Sequence, residues 1–212
     1  MTAMIHFVFD LDGTLVDSFS HYFKALEGIF KQCGVEFTED LRLPALTHPL
    51  LEFFEEHLGK AAVPAAFAKL QVHSNDDAVR IQPFQGLDAF VRKLTENGSQ
   101  VGVWTNRDLE SAQLILQSTG LSRYSTICVS GDCVAQRKPH PEGLLRIIKL
   151  FGCRPDEVTM VGDHTHDVTA AKAIGARSVR ASWHQYWAIE KCPHSDHQFY
   201  KTSEFEAWAL HP

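Results

Sequence analysis

Short runs rich in β-branched and aromatic residues alternate along this chain with longer stretches in which apolar residues recur three and four positions apart. Met4-Ile-His-Phe-Val-Phe9, Gln100 to Thr105, Thr126 to Ser130, Val158 to Val161 and Arg177 to Arg180 read as strands. Between them, Leu87, Phe90, Val91 and Leu94 form one helical stripe, stopped by Asn97-Gly98. Leu109, Ala112 and Leu116 form a second, stopped by Gly120. Leu144, Ile147, Ile148 and Phe151 form a third, with Pro141 in the first turn and Gly152 behind it. Hydrophobic strands alternating with helices predict a parallel α/β sheet.

The pattern changes between residue 19 and about residue 82, where no strand is predicted. Phe19, Tyr22, Phe23, Leu26 and Phe30 make a helical stripe ended by Gly34. Leu50, Phe53, Phe54 and Leu58 make another. Val63, Ala66, Phe67 and Leu70 make a third, with Pro64 near its start. Such stripes must bury themselves on one another as a small bundle. The expected organisation is an α/β core of residues 1–18 and 82–212, with a helical module of residues 19–81 inserted after the first strand. The linkers are Val16 to Ser18 and Ile81 to Gln85.

Composition narrows the function classes. With 212 residues, 44% hydrophobic and 22% charged, the chain can build a packed core. Its net charge of -6 argues against a nucleic-acid partner read through a basic surface. The apolar run Ile5 to Phe9 is broken at His6 and ended by Asp10, so no secretory leader is expected. No stretch approaches the roughly 18 apolar residues of a membrane helix. The five cysteines contain no C-x-x-C pair, and the expectation is a reduced, cytoplasmic protein. The oligomeric state is not readable from the sequence.

Candidate chemistry clusters at strand ends, where open α/β sheets bind ligands. Asp10-Leu-Asp12-Gly-Thr14-Leu-Val16 follows the first strand and can place two carboxylates over one point. Thr105-Asn106 ends the second, at a helix start whose N–H groups suit an anion. Lys138-Pro139 precedes a helix, on a stiff loop where a lysine can balance phosphate charge. Gly162-Asp163 through Asp167 ends the fourth, and two acids there suit a hard cation such as Mg²⁺. Each cluster alone also reads as a cap, a turn or solvated charge. Four of them at strand ends of one parallel sheet point to a single site.

As a set, these clusters resemble the four motifs of the haloacid dehalogenase superfamily, in its phosphatase branch. Asp10-Leu-Asp-Gly-Thr-Leu-Val16 is similar to the first, Val103-Trp-Thr-Asn106 to the second, Arg137-Lys-Pro-His-Pro141 to the third, and Gly162-Asp163 to Asp167 with Ala170, Ala173 and Gly175 to the fourth. Order and spacing agree, and the insert resembles that family's type 1 helical cap. The closest general resemblance is to phosphoglycolate phosphatase-like enzymes. It implies a Rossmann-like core and a phosphatase for a small phosphorylated metabolite such as phosphoglycolate or a sugar phosphate. Asp10 is then the nucleophile that becomes an aspartyl-phosphate, and Asp12 the general acid and base. Thr105, Asn106 and Lys138 bind the phosphoryl group. Mg²⁺ is held by Asp10, by Asp12 through its carbonyl, and by Asp163, with Asp167 in support. An acid at Asp12 argues against a dehalogenase, because halide needs no proton to leave.

Three other readings fit parts of this pattern. A phosphosugar mutase of the β-phosphoglucomutase type uses the same acid pair. A receiver-like phospho-switch combines acids, Thr and Lys, but lacks a helical insert after its first strand. A zinc module would use His164, His166, Cys192, His194 and His197, whose spacing is not that of a standard finger. Within the insert, His21, Tyr22 and Lys24 are candidates to face the site, with Tyr22 favoured as core. Trp183, Trp187, Phe199, Cys128 and Cys133 are expected to pack, and Glu55-Glu56 and Asp76-Asp77 to be solvated.

Overall fold

The computed structural model describes residues 4–187 and 191–210. The ends of the expected core segments, residues 1–3 and 211–212, and residues 188–190 lie outside the described residues, as does the side chain of Thr126. Six parallel strands form the main sheet: β1 (His6–Phe9), β4 (Val101–Trp104), β5 (Ser125–Val129), β6 (Val158–Gly162), β7 (Arg177–Ala181) and β8 (His197–Phe199). Their order across the sheet is β5-β4-β1-β6-β7-β8. The chain therefore winds outward from β1 to one side, then crosses to β6 and winds to the other. The crevice at such a reversal, above the carboxyl ends of β1, β4 and β6, is where this topology binds ligands.

Alternation along β1 decides which layer each side chain joins. Phe7 and Phe9 point into one core with Leu87, Phe90, Ile115 and Phe205. Those residues come from α5 (Leu87–Glu96), α6 (Leu109–Ser118) and α9 (Thr202–Ala209). Val8 points into the opposite core with Trp104, Leu144, Ile147, Met160 and Ala171. That side is closed by α7 (Glu142–Phe151) and α8 (Thr165–Ala173). Pro141 stands just before α7, at its N-cap, and not inside the first turn.

Two short strands, β2 (Val16–Asp17) and β3 (Gln82–Pro83), pair antiparallel, so the two expected linkers form one two-stranded neck. Between them lie α1 (Phe19–Gln32), α2 (Arg42–Thr47), α3 (Leu50–Leu58) and α4 (Val63–Ala78). These helices share their own core of Phe19, Phe23, Leu26, Phe30, Phe53 and Phe54. Each such aromatic contributes about 1.5–3 kcal/mol on burial, which holds the four helices together, and Trp187, from beyond β7, is buried in the same core. Among the described residues, no helix is long and apolar enough to cross a membrane.

Candidate active site

The loop after β1 is closed by its own backbone. Gly13 N–H donates to Val16 O at 2.9 Å, and Leu15 and Val16 N–H both donate to Leu11 O. Gly13 has a φ of 73°, and a Cβ there would overlap the Asp163 carboxylate and the Phe19 ring. Glycine thus serves both the turn and the approach of the β6 loop. Asp10 is anchored by its N–H donating to Val161 O of β6 at 2.8 Å. The loops after β1 and β6 are in this way held against each other.

Lys138 reaches the same point from the loop before α7. Its Nζ lies 2.5 Å from Asp10 Oδ1 and 2.7 Å from Asp167 Oδ1, with all three side chains nearly excluded from solvent. It also stands over the Trp104 ring, 4.8 Å from the centroid. Asp167 is fixed from its other oxygen, which accepts the His164 N–H at 3.1 Å and closes the start of α8. The geometry therefore engages Asp167 with Lys138 and the helix cap.

Asp163 accepts a hydrogen bond from Trp187 Nε1 at 2.7 Å. The Arg180 guanidinium lies 5.1 Å above the same indole. Burial, then the charges of Asp10 and Asp167, push the Asp163 carboxyl well above the usual range, against the pull of Arg180 and Trp187. Burial likewise lifts Asp10 to about 7, although Lys138 opposes it. Lys138 stays charged: burial lowers it, but Asp10 and Asp167 more than offset that. Asp10 and Asp167 share Lys138, and Asp163 stands close enough to repel both, an excess of acids over lysine in one buried pocket.

That excess is the observation against which a divalent cation can be tested. Asp10 and Asp163 offer hard oxygens to a chamber that Asp12 also borders, and their carboxyls, raised by burial and by neighbouring carboxylates, would be relieved by a cation there. The residues fit Mg²⁺. Among the described residues, no group of three or more His, Cys, Asp or Glu side chains stands ready to hold a metal ion. This is compatible with two carboxylates plus a carbonyl and water, and it gives the zinc reading no support.

Thr105 is buried at the end of β4, and its N–H donates to Val129 O. Its Oγ1 accepts the Arg107 N–H at 3.1 Å. The first amides of α6 are engaged by side chains: Ser111 N–H donates to Asp108, and Leu109 N–H to Asp132. The helix start itself is therefore occupied, and an anion would meet the loop at Thr105 and Asn106.

Asp12 is gripped by Arg107, with Nε 3.0 Å from Oδ2 and Nη2 2.5 Å from Oδ1. Burial pushes the Asp12 carboxyl up, but the guanidinium more than offsets this and holds it below the usual range. Arg107 was not singled out in the sequence. A cation directly after Thr105-Asn106 at a strand end was the available signal. Trp187 was expected only to pack. It does so, buried in the helical core, but it also bonds Asp163, and no local pattern announces that contact. Trp183 similarly donates to Thr14 O.

Asp10, Asp12, Thr105, Asn106, Lys138, Asp163 and Asp167 all border one chamber of about 460 Å³. A second cavity of about 640 Å³ opens between sheet and helical module, and Asp12, Asn106 and Arg107 border it too. His21 and Tyr22 face this cavity, and Tyr22 also donates to Ala45 O. Lys24 is exposed and does not line it. Asp77 is not simply solvated: it borders the cavity, half-buried, beside His21 and Arg80.

Known proteins resemble this chain in sequence and in fold. The model of the haloacid dehalogenase-like hydrolase family matches residues 7–181. A phosphoglycolate phosphatase of Xanthomonas campestris pv. campestris is 30% identical over 83% of this chain and 82% of its own length. The pyrophosphatase PpaX of Bacillus velezensis is 28% identical, over 83% and 82%. The crystal structure of a predicted phosphoglycolate phosphatase from Haemophilus somnus superposes with a TM-score of 0.84 at 20% identity, covering 99% of both chains.

Proposed function

The chain belongs to the haloacid dehalogenase-like hydrolases, and from that membership we propose that it is a Mg²⁺-dependent phosphatase acting on a small phosphorylated metabolite. The single observation that carries the reading is the convergence of Asp10, Asp12, Thr105 and Asp163, from the ends of neighbouring parallel strands, with Lys138 from the loop before α7. The phosphatase and pyrophosphatase names of its relatives support the same reaction class.

Asp10 attacks phosphorus and forms an aspartyl-phosphate, which splits one slow displacement into two faster ones. Phosphate monoesters hydrolyse extremely slowly unaided, so the developing charge needs strong stabilisation. Lys138, held by Asp10 and Asp167, supplies a fixed positive charge beside the transferring group. Thr105 donates its hydroxyl to a phosphoryl oxygen. Asp12 protonates the departing alkoxide and then takes a proton from the water that opens the intermediate, help worth about 10²–10⁴-fold. Asp10, Asp163 and the Asp12 carbonyl would hold Mg²⁺, with Trp187 and Arg180 orienting Asp163. Bound there, the ion would neutralise phosphate charge that otherwise repels the Asp10 carboxylate.

Helices α1–α4 serve as the cap, spanning residues 19–81 between the two halves of the core. The cap closes the larger cavity over the leaving group and excludes water. The five cysteines are all free, which suits a reducing cytoplasm.

The test is phosphate release from a panel of phosphorylated metabolites, with and without Mg²⁺. The expected result is turnover that disappears on chelation and returns with Mg²⁺. Turnover unaffected by thorough chelation would reject the metal assignment. Conversion of a sugar 1-phosphate to its 6-phosphate without phosphate release would make the enzyme a mutase.

A further inference from the structure

Both oxygens of Asp12 are occupied by one guanidinium fork. The third nitrogen of that fork, Nη1, donates to Ser74 Oγ on α4 at 2.5 Å. Arg107 therefore ties the proposed general acid to the cap across the mouth of the larger cavity. Its side chain is 15% exposed, and it borders both chambers. In this arrangement neither Asp12 oxygen is turned to an ester oxygen. A bidentate carboxylate–guanidinium pair is not given up to a neutral group, because desolvated charge would be left unpaired. It can be exchanged for another oxyanion of matching geometry.

The other charged groups on this cavity are differently employed. Asp77 pairs with His21 and Arg80. Asp108 caps α6 and accepts from Gln71. Arg137 is exposed and donates to Gly131 O. His73 borders the cavity too, but an imidazole has no bidentate fork of donors to offer an oxyanion. Arg107 is left as the fork placed between the phosphoryl chamber and the space for the leaving group.

We propose that Arg107 is the specificity-determining residue of the cap-side cavity: it trades its hold on Asp12 for a hold on a carboxylate or phosphate carried by the leaving group, and so turns Asp12 to the ester oxygen. An anionic leaving group is bound and releases the acid in the same movement. A neutral one leaves Asp12 locked to Arg107. No covalent bond changes in the exchange: the anion brings its own charge to Arg107, and Asp12, no longer held ionised by the guanidinium, takes up from solvent the proton that it gives to the ester oxygen. This assignment rests on the phosphatase reading above.

The experiment compares kcat/KM for 2-phosphoglycolate, pyrophosphate and the neutral isostere 2-phosphoglycolamide, in wild type, Arg107→Met and Arg107→Lys. Wild type is expected to prefer at least one anionic substrate over the amide. Arg107→Met is expected to cut kcat/KM for that substrate on the order of 10–100-fold more than for the amide. Arg107→Lys restores part of the difference, since a point charge replaces the fork. Whichever anionic substrate loses more identifies the group as carboxylate or phosphate. Equal losses on all three substrates, or a wild type indifferent to the negative charge, would overturn the assignment and leave the phosphatase standing. A wild type that hydrolyses no phosphate ester would remove the phosphatase reading and this assignment with it.

Discussion

Replacing Asp10 with asparagine is expected to lower turnover on the order of 10⁴-fold or more while the chain stays folded. The loss follows from the role: an amide does not form the acyl phosphate, and no neighbouring carboxylate shares its position. Asp167 is committed to Lys138 and the α8 cap, and Asp163 to Trp187. The fold survives because the change relieves crowding. Burial and two neighbouring carboxylates lift the Asp10 carboxyl from 3.8 to about 7 despite Lys138. A carboxyl raised on folding destabilises the folded state progressively above its unfolded pKa, so a neutral isostere costs nothing at neutral pH. Lys138 keeps Asp167 as its partner. Thermal unfolding of metal-free Asp10→Asn should occur at or above the wild-type temperature. Retained activity would reject Asp10 as nucleophile.

Lys138→Ala is expected to damage both rate and fold. Removing one fixed charge from a transferring group costs about 10²–10³-fold in kcat. Removing one partner of a buried ion pair costs about 3–5 kcal/mol, because the other charge stays buried. Here Asp10 and Asp167 would both be stranded, their side chains 12% and 2% exposed. For a chain of this size that corresponds to a drop in Tm of roughly 10 °C. Mg²⁺ should recover part of the stability and little of the rate, since the ion restores charge balance at Asp10 and Asp163 without replacing an ammonium at Lys138. Scanning calorimetry with and without Mg²⁺ reads the first effect. An unchanged Tm would mean that the cluster is not held together by Lys138.

The strand ends of the site were legible because this fold places its chemistry immediately after hydrophobic runs. Asp10, Thr105 and Asp163 each follow a run whose pattern marks a buried strand, so position along the chain stood in for position in space. The long aromatic stripes of α1 and α3 were legible for a similar reason, since only burial explains them. What escaped depends on distant docking. β8 has three half-exposed or exposed residues, too few to show a period, and is a strand because it pairs with β7. β2 and β3 are two residues each and exist only through one another. Helix α2 carries Pro44 and buries only Ala45, so it presents no stripe. Arg107 and Trp187 gained their roles from Ser74 and Asp163, partners whose proximity the folded chain alone creates.

At the centre of this account is a phosphoryl group carried on Asp10 between two in-line displacements. Hydrolysis of a phosphate ester made chiral at phosphorus with oxygen isotopes reads the number of displacements directly. Each inverts the centre, so two must return inorganic phosphate with the configuration of the substrate. Inverted phosphate would mean a single direct attack by water and would contradict the account.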